Sequence, residues 1–105
     1  MPLINGYPQA SGAKWESVIT VAGPASYATG GFIVQAVTFG LTAFDFVAAI
    51  ANNNGSRFAV ASFPDSSTVP DANCFIQVFT SSTGAEVAPA TDLSGDTYRV
   101  YALGL

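Results

Sequence analysis

Histidine is absent from this 105-residue chain, and lysine and arginine together number three. Without histidine there is no Ser-His or Cys-His nucleophilic pair and no ordinary proton carrier for neutral pH. Lys14, Arg57 and Arg99 are scattered, so there is no basic groove to displace counterions from a phosphate backbone, and nucleic acid is not expected as a partner. An anionic membrane surface is disfavoured for the same reason. The single cysteine, Cys74, permits neither an internal disulfide nor a zinc site of Cys/His spacing. Placed in the apolar run Cys74-Phe75-Ile76, it reads as a small buried hydrophobe rather than a reactive thiol. Apolar runs stay short, as in Val47 to Ala51, far below the roughly 20 residues that cross a bilayer. Residues 1–8 lack the basic-then-apolar order of a secretory signal, and synthesis in the cytosol is expected.

The scarcity of charge is the most informative of these deficits. Charged residues make up 10 % of the chain and hydrophobic ones 50 %, with a net charge of −4, whereas an ordinary soluble domain is roughly a quarter charged. So thin an ionic coat implies that part of the exterior is covered by neighbouring protein. The alternative is a surface dressed by neutral Ser, Thr, Asn and Gly.

What is present is a β rhythm. Apolar residues recur with period two or in short runs rich in Val, Ile, Phe and Tyr, punctuated by Gly, Pro, Asn and Ser. Strands are predicted at 15–22, 32–39, 43–51, 57–63, 73–80, 85–88 and 97–103, which makes an all-β, single-domain antiparallel sandwich or barrel-like fold of about seven strands. Pro89 marks the strand before it as an edge. Residues 14–105 form this domain, and residues 1–13, with two prolines and no strand-like run, form an extended N-terminal arm carrying Leu3, Ile4 and Tyr7. In Ala51-Asn52-Asn53-Asn54-Gly55-Ser56, Asn54-Gly55 is suited to the two positive φ angles of a tight hairpin, so its flanking strands should pair antiparallel. Ser81-Ser82-Thr83-Gly84 suggests a longer hairpin, and Asp92 a carboxylate that caps its own turn.

Several strands are apolar on both faces. In the second, Phe32, Val34 and Ala36 oppose Ile33, Val37 and Phe39; in the last, Tyr98, Val100 and Ala102 oppose Arg99, Tyr101 and Leu103. One face fills the sandwich and the other needs a cover.

Catalysis would have to rest on the seven carboxylates, Glu16, Asp45, Asp65, Asp71, Glu86, Asp92 and Asp96. A glycosidase-like pair needs a large aromatic-lined cleft that so small a domain seldom builds, so no enzyme activity is expected. Asp65, Asp71, Asp92 and Asp96 match no calcium-loop signature, and turn capping and solvation account for them. No cofactor or metal is expected. Trp15, Tyr27, Tyr98 and Tyr101 are candidates for a sugar-stacking platform, though packing is the commoner fate of such residues.

The stretch from Lys14 to Phe32, with its Gly23-Pro24-Ala25-Ser26-Tyr27 and Gly30-Gly31-Phe32 strings, and Thr91-Asp92-Leu93-Ser94-Gly95 before a closing aromatic strand, resemble capsid decoration, or cement, proteins of tailed bacteriophages. The resemblance implies a β-rich virion protein that binds the outside of the head at contacts between major capsid protein subunits, in trimers or other small clusters, and stabilises the shell. Candidate contact residues are Leu3, Ile4, Tyr7, Trp15, Tyr27, Phe32, Tyr98 and Tyr101. The rival expectations are a carbohydrate-binding or adhesin module on the virion and a small tail or neck component.

Overall fold

The computed structural model describes residues 15–63 and 71–105. The expected N-terminal arm, with Leu3, Ile4 and Tyr7, lies outside the described residues, as do residues 64–70. The chain is all-β: among the described residues six strands, β1 (Trp15–Ala22), β2 (Phe32–Gln35), β3 (Phe44–Ala51), β4 (Arg57–Ser62), β5 (Asn73–Thr80) and β6 (Thr97–Gly104), form two antiparallel three-stranded sheets. The first is ordered β1-β6-β3 and the second β2-β5-β4. No helix among the described residues is long and apolar enough to cross a membrane.

The strands form where alternation is strong, and the inward residues meet between the sheets. Phe44, Ile76, Val78, Val100 and Ala102 are fully buried, with Tyr98 from the start of β6 and Tyr27 and Leu93 from loops. Burying aliphatic and aromatic side chains of this size, at about 1.5–3 kcal/mol each, is the main force holding the layers together. Cys74 belongs to this core, its thiol 3.3 Å from the Ser62 carbonyl oxygen.

Four local features depart from the sequence expectations. The first is in the predicted strand 32–39, which stops at Gln35. Residues Ala36–Phe39 form a single 3-10 turn closed by Gly40 in the left-handed region (φ 77°), with Leu41 N–H donating to the Ala36 carbonyl. The turn breaks the period of two. Phe39, expected to share a face with Val37, instead enters the core edge-on to Phe44 at 5.4 Å, while Val37 is left 74 % exposed.

The second is the 51–56 segment, which is not a hairpin. Neither Asn54 nor Gly55 has a positive φ, and the segment carries the chain from β3 in one sheet to β4 in the other, where β3 pairs with β6 and β4 with β5. Its asparagines are staples instead. Asn52 N–H donates to the Thr97 carbonyl, the Asn53 side chain accepts from Thr97 N–H at 2.9 Å, and the Asn54 amide donates to the Asp96 carboxylate at 3.2 Å. Their amides gain more by satisfying the loop before β6 than by tightening a local turn.

The third is the predicted strand 85–88, which is reduced to one bridge, Phe79 to Glu86, after a turn at Ser81 to Gly84. Residues 85–87 take the edge of β5 beyond the point where β2 ends, and Val87 N–H donates to the Val78 carbonyl.

The fourth is a bulge in β3. Phe44 pairs with Gly104 but Phe46 with Leu103, so Asp45 is an extra residue. Phe44 is therefore buried while Phe46, two residues on, is 52 % exposed.

Candidate functional site

The two outer faces of the sandwich stand out. Register places the outward residues of the first sheet in three rows: Glu16-Leu103-Phe46, Val18-Tyr101-Ala48 and Thr20-Arg99-Ile50. Val18, Phe46 and Ile50 are exposed, and the Phe46 and Tyr101 rings meet at 6.2 Å. Glu16 sits at one end of this face and Arg99 at the other. Arg99 Nη1 donates to Thr20 Oγ1 at 3.0 Å, and the Tyr101 hydroxyl makes a long 3.5 Å contact to Glu16. Partial burial and the Glu16 carboxylate raise the Tyr101 pKa above its ordinary value.

On the second sheet the outward rows are Phe58-Phe79, Val60-Gln77 and Ser62-Phe75-Ile33, ending in Asn73-Gln35. None of these residues is charged. Phe58 and Phe79 stack with rings 5.2 Å apart and 13° from parallel, and Ile33, Phe58 and Val60 are exposed. Sandwiches usually put polar residues outward. Here both layers have apolar exteriors.

On the side opposite the β3–β4 crossing, the sheets part to leave an open cleft of about 230 Å³ between Val21 and Ala22 of β1 and the β2 and 3-10 residues Phe32, Val34, Gln35 and Phe39. Its lining contains no ionisable side chain.

The described candidate contact residues are divided between surface and core. Trp15 is 66 % exposed at the start of β1, and Tyr101 lies on the first outer face. Tyr27 and Tyr98 are corrected to core positions, and Phe32 points inward to meet the Tyr98 ring at 5.7 Å. The aromatic content that suggested contact at these positions is used within the fold. Because Tyr27 and Tyr98 are interior, the four aromatics considered for a sugar platform do not share a surface, and for these two packing is the outcome. Conversely, Phe46, Ile50, Phe58 and Val60, together with Ile33 and Val37 from the second strand's other face, are exposed apolar residues outside the candidate contact set. Strand alternation carries the signal for all but Val37, whose exposure depends on the 3-10 turn, and Phe46 and Ile50, whose facing depends on the bulge.

Four of the described carboxylates, Asp71, Glu86, Asp92 and Asp96, are engaged in structure. Glu86 accepts from the Tyr27 hydroxyl at 2.6 Å and from Gly30 N–H at 2.8 Å, and these bonds hold its pKa below the ordinary value. Asp92 caps its own turn, accepting from the Ser94 hydroxyl at 2.6 Å and Ser94 N–H at 2.9 Å, as the sequence suggested. Asp71 accepts from Asn73 N–H at 2.9 Å. Asp96 is held by Asn54 and lies 3.6 Å from Arg57 Nε. Among the described residues no group of three or more His, Cys, Asp or Glu side chains is arranged to hold a metal ion.

The fold and surface together define a class: an all-β sandwich with apolar outer faces on both layers. No family model, curated protein or solved structure matches the chain.

Proposed function

We propose that this protein is a non-enzymatic virion structural component that binds the outer surface of a bacteriophage head, assembles there in small clusters, and stabilises the shell. One observation carries the reading: both outer faces of a small sandwich are apolar, so the fold has a surface for sister copies and a second for the shell. Contiguous exposed apolar patches of this kind mark protein contacts. The sheet β2-β5-β4, with no charge on its exterior, is the face assigned to the major capsid protein. The structural employment of Glu86, Asp92 and Asp96 supports a non-catalytic role, and the sequence resemblance to cement proteins supplies the head rather than the tail.

The test is occupancy on purified expanded heads, with copy number read from a gel. The parent chain should bind saturably and in hundreds of copies per particle, and Phe58→Ser with Val60→Ser should reduce affinity about tenfold or more, as loss of central apolar contacts does. A handful of copies per particle, or a location on the tail by electron microscopy, would instead identify a connector. Glycan binding without affinity for heads would favour an adhesin.

A further inference from the structure

Glu16 and Arg99 are the two charges in the three paired outward rows of β1-β6-β3, and they stand in the rows at opposite ends. Glu16 is level with Leu103 on β6, four residues along that strand from Arg99, a separation of about 13 Å along the strand. That is too far for a pair within one chain. Tyr101 lies between the two rows, in the middle strand.

We infer that this face packs against the same face of a second copy about a two-fold axis passing close to Tyr101. Such an axis, running across the strands, sets Glu16 over the partner's Arg99 and Arg99 over the partner's Glu16. An isologous contact requires this kind of self-complementarity. Exchanging these two positions tilts one set of strands against the other by about 40°, somewhat beyond the roughly 30° at which sheets pack face to face. Val18, Ala48 and Tyr101 fall near the centre of the contact, Phe46 and Ile50 toward its margin. The second outer face has no charge to set such a register. The inference rests on the proposed self-association of the protein and names the face and symmetry that perform it.

The pairing is weak in free solution. Three strands about 4.8 Å apart and about 26 Å long present a footprint well below the roughly 800 Å² per partner of a standard interface. Dissociation constants of tens to hundreds of micromolar are expected, a range that becomes effective when copies are concentrated on a shell. The Glu16 and Arg99 contacts act chiefly on register and partner choice, as rim charges do.

Sedimentation velocity on the full chain, from about 10 µM to about 1 mM, tests the pairing. The parent chain should show a monomer–dimer equilibrium, and Glu16→Arg and Arg99→Glu should each weaken it about tenfold, because every two-fold contact then opposes like charges. An equimolar mixture of the two variants, and the double variant E16R/R99E, should regain parental association. Unchanged urea midpoints show that both variants are folded. A chain that stays monomeric at millimolar concentration, a trimer, or a mixture no better associated than its components overturns the inference. Occupancy on heads is scored separately: a non-pairing variant that still binds heads leaves the shell-binding proposal standing, and a dimer without affinity for heads defeats that proposal while leaving the two-fold intact.

Discussion

Tyr27 and Glu86, 59 residues apart in the chain, are joined by a 2.6 Å hydrogen bond that closes a gap in the second sheet. The same phenol oxygen accepts from Val78 N–H at 3.0 Å, at the place along β5 where β2 has ended and residues 85–87 begin to pair. A side-chain hydroxyl thus takes the place of a missing strand carbonyl. Replacing Tyr27 by Phe leaves the buried Val78 N–H without an acceptor, which costs about 1–3 kcal/mol. Urea denaturation should show a lower midpoint at an unchanged slope; an unchanged midpoint would remove Tyr27 from this role.

Stability should fall with alkali. Burial, with the Glu86 hydrogen bond adding to it, pushes the Tyr27 pKa from 10.0 to about 12. Burial alone is the main cause of the rise at Cys74, from 9.0 to about 11. In each case the unfolded chain gives up its proton first, so the stability present below the ordinary pKa is lost as pH rises through the folded value. Thermal midpoints should be flat to about pH 9 and decline from there to about pH 12. Glu86 carries the opposite sign: its folded pKa is lowered by Tyr27 and Gly30, so its contribution is present above the ordinary carboxylate range and fades as acid protonates it in the fold. The Tyr27→Phe variant should lose part of both pH dependences.

Backbone conformation separates three small-residue substitutions. Gly31 has φ +107°, and a Cβ there would lie 2.6 Å from the Ile76 carbonyl oxygen, so Gly31→Ala should cost about 2 kcal/mol or more. Ala90 has φ 68°, and Ala90→Gly should add about 0.5–1 kcal/mol by relieving left-handed strain. Gly55 has neither a positive φ nor a neighbour in the way, so Gly55→Ala should be neutral to mildly stabilising, by up to about 1 kcal/mol. A severe loss at Gly55 would reinstate the tight hairpin turn expected from Asn54-Gly55.

The Cys74 thiol is buried with a raised pKa. Its reaction with a thiol-specific disulfide reagent should therefore require opening of the fold. The labelling rate should rise with denaturant in step with unfolding, and rapid labelling of the native chain would contradict its burial.

The sequence disclosed the layers more clearly than their connections. β1 and β5 have the bounds that alternation predicts, and β6 extends one residue further, because a half-apolar period of two is a local property of the residues themselves. The path between layers depends on partners distant in the chain. Asn54-Gly55 has the local chemistry of a hairpin, yet Asp96 and Thr97, more than forty residues on, claim the asparagine side chains. Gly40 allowed the chain to turn after Gln35, but only the tertiary position of Phe44 gave Phe39 a reason to turn inward. The apolar exterior was legible as a charge deficit, whereas the identity of its residues was not, because aromatic type alone does not separate Tyr98 inside from Tyr101 outside. Their opposite parity on one strand does.

The extra residue in β3 has a consequence for how this surface can change. Were Asp45 paired as an ordinary strand residue instead of bulging, strict alternation would carry Phe46, Ala48 and Ile50 inward after Phe44, driving Val47, Ala49 and Ala51 out. Phenylalanine and isoleucine would give way to alanines on the exterior, and a large fraction of the adhesive character of that layer would vanish without any side chain being altered. Deleting Asp45 would instead restore strict alternation with Phe46, Ala48 and Ile50 still outward, so the adhesive layer depends on the bulge absorbing the extra residue and survives that residue's removal.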